Sequence, residues 1–317
     1  MKPGILLSLA VASLIALPQL SAQGKLYVTN AASALIEQGL ASAAPAGPDA
    51  AAFVAVPAPS VRMRSNEAQA TTAPWIEANG WRFQRGLKKV RYDKLPPGAA
   101  VPAAAESLVY GADAILDVDP ADVPELAKFL QLWKNRKQDY LPVMANIGIV
   151  DDKSTGMDEV LNMLTRRNLL YRVVSAPDHK LDLTVQLGSK DFPRESAQDP
   201  SDFAARVRAK LGDDRRLVRL YGTSTVIAHL NGDGKRARLY LLSYTRGGGR
   251  GQGGGGGGAG AQPIRVRLLG HYQPVAFAAY GAAEGAKLLD VETPGNSTEF
   301  SVPPFNTLAV IDLEAKK

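Results

Sequence analysis

The sequence predicts an α/β protein in which a parallel-sheet region is followed by an antiparallel β-sandwich. Between residues 113 and 211, short apolar runs alternate with helical stretches of 10–15 residues, the pattern of crossover units over a parallel sheet. From Leu217 onward, eight short strand-like runs follow one another with no helical stretch among them, which is the pattern of a sandwich. The chain contains no cysteine, so an apolar core and not disulfides must hold the fold together.

Taken in order, the chain opens with Lys2, an apolar run over residues 5–17, Pro18, and the small residues Ser21 and Ala22. These are the three parts of a secretory signal, so residues 1–22 are expected to be removed near Ala22 and the mature protein to be periplasmic or extracellular. The apolar run is short of the roughly 20 residues needed to span a bilayer, and no later segment is apolar enough to do so. Residues 25–30 and 51–56 read as strands, 31–44 as an Ala-rich helix, and 57–74 as a long loop. The run WIEANGWRFQR over residues 75–85 has a turn signal at Asn79-Gly80, and its second half alternates as a strand would. A helix is expected over residues 99–110, ending at Gly111, with Pro102 tolerated in its first turn.

The α/β rhythm then sets in. Residues 113–118 read as a strand, and Pro120 opens a helix with Val123, Leu126, Leu130 and Trp133 on one face. Residues 146–150, 171–174 and 181–187 are further strands. Thr155 is expected to cap one intervening helix and Asp199 or Ser201 the next. The sandwich strands follow, with Asn231-Gly232-Asp233-Gly234 as the clearest hairpin signal. The expected organisation is a signal peptide over 1–22, an α/β domain over 23–215 and a β-sandwich over 216–317. The Gly-rich tract at 247–260 reads as a flexible loop between two strands.

The net charge is +6, with basic residues scattered among acids. The densest cluster comprises Arg206, Arg208, Lys210, Arg215, Arg216 and Arg219, interrupted by Asp213 and Asp214. It reads first as a solvated helix face and only second as a surface for an anionic partner. Candidate catalytic carboxylates are Asp151 and Asp152, at the carboxyl end of an expected parallel strand, where open sheets place their ligands, and Asp117, at the end of another. Asp119, two residues on, is expected to start the next helix. Glu77 stands between Trp75 and Trp81, and a sugar site commonly combines an acid with aromatic faces. Trp75, Trp81 and Tyr272 are the candidate ligand-binding residues. His179, His229 and His271 have no metal-ligand spacing, and no dinucleotide fingerprint, phosphate loop or nucleophile elbow occurs, so no metal or cofactor is expected.

Some segments also resemble a known group of enzymes. AAAESLVYGADAILDVDPADVPELAKFLQLWK is similar to the last helix–strand–helix of a bacterial glycoside hydrolase barrel. NIGIVDD with DEVLNMLTRRN resembles the flavodoxin-like, amidotransferase-like domain that follows the barrel in secreted enzymes of β-galactosidase type. RARLYLLSY and EFSVPPFNTLAVIDL resemble the small β-sandwich that ends many such enzymes. The resemblance implies a flavodoxin-like or barrel-remnant α/β part, and a protein associated with polysaccharide or oligosaccharide. Only about 90 residues lie between the expected signal peptide and Asp113, too few for the rest of a barrel of about 250. The expectation is therefore a non-catalytic binding or accessory protein that contacts no nucleic acid. The alternatives are an active glycosidase using paired carboxylates and a structural or assembly protein.

Overall fold

The structure is a computed structural model that describes residues 24–29, 32–62, 74–136, 139–245 and 262–316. The expected signal peptide and the Gly-rich tract lie outside the described residues. The first part contains β1 (Leu26–Val28), α1 (Ser33–Glu37), β2 (Ser42–Ala43), α2 (Pro48–Ala51), β3 (Val54–Ala55), β4 (Ser60–Arg62) and β5 (Trp75–Glu77). It continues with α3 (Gly80–Gln84), β6 (Lys89–Tyr92), α4 (Ala100–Val109), β7 (Asp113–Leu116) and α5 (Val123–Asn135). Five of these strands form a parallel sheet in the order β2-β1-β7-β6-β3, and β4 pairs with β5 antiparallel. Read from β3, the spatial order is 3-6-7-1-2, a cyclic permutation of the chain order, as in a barrel opened at one seam between β2 and β3.

A second, three-stranded parallel sheet follows, so the described α/β region holds two parallel sheets beside the β4-β5 pair. Its order is β10-β8-β9, from β8 (Ile147–Val150), β9 (Tyr171–Val174) and β10 (Leu183–Gln186). It carries α6 (Thr155–Arg166) and α7 (Pro200–Leu211), whose faces Met157, Val160, Leu161, Leu164 and Phe203, Val207, Leu211 are buried. Asp199 caps α7 by accepting from the N–H groups of Ser201 and Asp202 at 2.9 and 3.0 Å, which satisfies two otherwise unpaired donors.

The sandwich consists of β11 (Val218–Tyr221), β12 (Val226–Gly232), β13 (Arg236–Ser243), β14 (Ile264–Leu269), β15 (Tyr272–Ala279), β16 (Leu289–Glu292), β17 (Ser297–Val302) and β18 (Leu308–Ala315). Its sheets have the orders β11-β14-β17-β16 and β12-β13-β18-β15. All eight expected strands are present, and β12 and β13 form the expected hairpin, with Asp233 accepting from the N–H groups of Lys235 and Arg236. Val266, Phe300, Leu239 and Ile311 fill the space between the sheets. The outer face of the second sheet is also apolar: Ile227, Tyr240, Leu242, Leu308 and Val310 join the core built on α4. Helix α4 therefore lies between the five-stranded sheet and the sandwich, with all of its residues buried except Pro102.

Several local expectations are corrected: the strand expected over residues 51–56 is reduced to β3, and β4 forms at the start of the loop expected over 57–74. The helix expected over residues 31–44 stops at Glu37, and Gly39, at φ 65°, turns the chain into β2. The alternation at residues 81–85 is a short helix and not a strand. Trp81 and Phe83 lie about 200° apart around it and enter different cores, Trp81 with β8–β10 and Phe83 with α4. A spacing of two residues thus mimicked a strand because the helix is buried on opposite sides. Ser154, and not Thr155, caps α6, accepting from the Met157 N–H at 3.3 Å. Asp152 accepts from both the N–H and the hydroxyl of Ser154, which orients the cap.

Candidate ligand-binding cleft

The acids singled out in the sequence are held apart. Arg85 donates Nε and Nη2 to the two Asp151 oxygens at 2.7 and 2.9 Å, and Lys153 adds a contact from its ammonium at 2.7 Å. Burial of Asp151 disfavours its charge, but Arg85 and Lys153 outweigh this and hold the carboxyl at about 2. Asp152 is lowered by the Ser154 hydroxyl and, beyond it, by Arg194 at 2.9 Å. Asp117 accepts from the Thr29 hydroxyl at 3.0 Å and the Lys94 N–H at 3.3 Å. Asp119 accepts from the Ala121 N–H and starts the turn before α5. Glu77 faces Arg82 at 3.8 Å. No two of Glu77, Asp117, Asp151 and Asp152 share a partner among these contacts.

One carboxylate that the sequence reading did not single out is fully buried. Glu106, in the middle of α4, accepts four hydrogen bonds: Asn79 Nδ2 and the Tyr92 hydroxyl at 2.7 Å each, the Tyr244 hydroxyl at 3.0 Å and the Asn79 N–H at 3.1 Å. Burial pushes its pKa up, and the donors oppose this. A lone acid in an otherwise apolar helix was the available signal, since such a group must find partners. No solvent-facing cavity reaches it among the described pockets, so it joins β6, the turn before α3 and the sandwich into one unit.

The aromatic candidates also part company. Trp81 is buried in the core beneath α6 and α7. Tyr272 packs half-buried on the sandwich core. Trp75, half-buried on β5, lines a cleft of about 750 Å³ between β5, α6, α7 and the start of the sandwich. Four arginines share that wall: Arg166 and Arg167 at the end of α6, Arg208 on α7 and Arg216 just before β11. The Arg166 guanidinium stacks 4.0 Å from the Trp75 ring. Arg167 donates to the Ser201 hydroxyl at 3.0 Å, and Arg216 donates to the Arg167 carbonyl at 3.1 Å. Asn168, Thr223 and Ser224 add polar groups, while Glu159 and Asp199 are the acids of the lining.

Trp75, Arg208 and Arg216 were each visible in the sequence, but only the fold brings them to one cleft. The packing of α6 against β12, fixed by Asn168 on Val226 and Ala228, is what does so. Arg166 and Arg167 were missed, although paired arginines at a helix end carry such a signal.

No protein-family model matches the chain, and no curated protein matches it by sequence. Among solved structures, the chain is similar to the α-L-fucosidase isoenzyme 2 from Paenibacillus thiaminolyticus, at 11% identity and TM-score 0.48, over 70% of this chain and 58% of that one. It is also similar to a β-galactosidase from Rahnella sp. R3, at 9% identity and TM-score 0.41, over 74% and 57% of the two chains. A third likeness is to a GH42 β-galactosidase from G. stearothermophilus, at 9% identity and TM-score 0.34, over 83% and 53%. The chain covers less than two thirds of the length of each of these structures.

Proposed function

We propose that the protein is a secreted, non-catalytic carbohydrate-binding or accessory protein that takes an oligosaccharide into the cleft beside Trp75. The observation that carries this reading is the meeting of an indole with a ring of hydroxyl, amide and guanidinium groups in one cavity of ligand size. A sugar presents C–H faces that pack on an aromatic ring and hydroxyls that need fixed hydrogen-bond partners. Trp75 offers the first, and Ser201, Thr223, Ser224 and the arginines offer the second.

The non-catalytic part of the proposal rests on the acids. Glycoside hydrolysis uses two carboxyl groups about 5–9.5 Å apart across one bond. Glu77, Asp117, Asp151 and Asp152 do not line the cleft, and each is engaged elsewhere. Of the two acids that do line it, Asp199 uses Oδ1 to cap α7. Export rests on the amino-terminal pattern of Lys2, an apolar run and Ala22. It is checked by fractionating cells and sequencing the amino terminus of the recovered protein, which should begin near Gln23.

A glycan array run beside chromogenic glycosides tests the rest. Binding without turnover, weakened at least tenfold by Trp75→Ala, is the expected result. Turnover that disappears in Glu159→Gln would make the protein a glycosidase. Binding that survives Trp75→Ala and is lost in Tyr272→Ala would move the site to the sandwich.

A further inference from the structure

The cleft wall carries four guanidinium groups against two carboxylates, one of which is already used as a helix cap. Around Arg208 and Arg216 the balance is also short of acid. Arg208 holds Asp213 through two hydrogen bonds of 2.7 and 2.6 Å, and Arg216 reaches an oxygen of the same carboxylate at 3.5 Å. One carboxylate thus serves two guanidinium groups. The Arg216 side chain is only 10% exposed, and its buried Nε has no hydrogen-bond partner. Burial and the neighbouring Arg208 charge both disfavour the Arg216 cation. Such a cluster is stabilised when an anion enters it.

The cavity shape adds to this. Arg167, Arg208 and Arg216 also line an adjoining cavity of about 440 Å³ on the other side. They form a ridge between two hollows, which suits an extended ligand with more than one charged substituent. A phosphate seated on the α7 amino terminus is the weaker fit, because Asp199 already occupies the Ser201 and Asp202 N–H groups.

We propose that the cleft is selective for acidic saccharides, with Arg167, Arg208 and Arg216 reading carboxylate or sulfate substituents while Trp75 packs on a sugar ring. This deepens the carbohydrate reading above and rests on it. Arginine suits the task because its planar fork pairs two N–H groups with two anionic oxygens.

The test is isothermal titration of the full mature chain with four probes: an oligogalacturonate, its fully methyl-esterified form, a sulfated glycosaminoglycan tetrasaccharide, and inorganic polyphosphate. The oligogalacturonate or the sulfated sugar is expected to bind at least tenfold more tightly than the neutral ester, and the preference to shrink as salt is raised. Which of the two binds more tightly identifies carboxylate or sulfate as the group recognised. Arg167→Gln and Arg208→Gln, both at exposed positions, should each weaken the acidic sugar about tenfold and the neutral ester by less than about threefold. Equal binding of acid and ester overturns the charge selectivity and leaves the carbohydrate reading standing. Polyphosphate binding as tightly as any sugar overturns the carbohydrate reading and this proposal together. Absence of binding by all four probes does the same.

Discussion

Glu106 and Arg216 are both buried charged groups at junctions between the α/β region and the sandwich, yet they are treated in opposite ways. Glu106 receives four donors, three from the α/β region and one from Tyr244, and has no cation beside it. Arg216 is crowded by Arg208, shares one carboxylate with it and leaves Nε unused. The first junction is complete as it stands, so its polar groups serve the fold. The second is electrostatically unfinished, and a fold that keeps like charges together without need would give up stability for nothing. The comparison separates a structural polar network from the cluster that the proposal above assigns to an anionic ligand.

The largest effect should follow from Glu106→Ala. It leaves the buried Tyr244 hydroxyl and the Asn79 N–H without their acceptor, leaves Tyr92 with Ser107 and the Asn79 side chain with Pro57, and opens a cavity, at a cost of about 3–5 kcal/mol. Urea unfolding should show this loss while saccharide affinity of the folded fraction stays the same. A loss below about 1 kcal/mol would mean the network is not structural.

Asp151→Asn comes next, at roughly 2 kcal/mol near neutral pH, since it removes one of the two carboxylates paired with Arg85 and leaves Asp158 as the other. The sign with pH follows from the lowered pKa. Stabilisation by the ionised carboxyl is complete above the ordinary carboxylate range and is lost as pH falls toward about 2. The gap between wild type and Asp151→Asn in urea midpoint should therefore narrow between about pH 5 and pH 2. A constant gap would assign the loss to packing alone.

Asn168→Ala should cost roughly 1–2 kcal/mol. Its side chain donates to the Val226 carbonyl at 3.1 Å and accepts from the Ala228 N–H at 2.7 Å, pinning the end of α6 to β12 beside the cleft. The smallest stability change, within about 0.5 kcal/mol, belongs to Arg208→Gln, whose pair with Asp213 is solvent-exposed. That variant sharpens the comparison most, because its effect should fall on ligand affinity.

The regular parts of the fold were legible because their signals are local. The strand runs after Leu217, the hairpin at Asn231–Gly234 and the amphipathic faces of α5, α6 and α7 each lie within one short window. Residues 75–85 misled because Trp81 and Phe83 serve two cores that no window of eleven residues reveals. The cleft was half legible. Trp75 carried an aromatic signal and Arg208 and Arg216 a charge signal, but their meeting depends on packing between segments more than 130 residues apart. The acids misdirected attention for a related reason: Asp151 and Asp152 sit where ligands often bind, and the arginines that neutralise them, Arg85 and Arg194, lie far off in sequence.

The position of β1 has a consequence for how the molecule assembles. This strand lies inside its sheet, between β2 and β7, and Lys25 bonds to Asp113, 88 residues further along. The strand β1 therefore has its inner neighbour 88 residues further along the chain. Closing so long a loop is slow and comes late. Until β7 arrives, β1 can pair only with the two-residue β2, which is too short to hold it. The five-stranded sheet is thus completed only when segments 88 residues apart have met, which makes its closure a late event of folding.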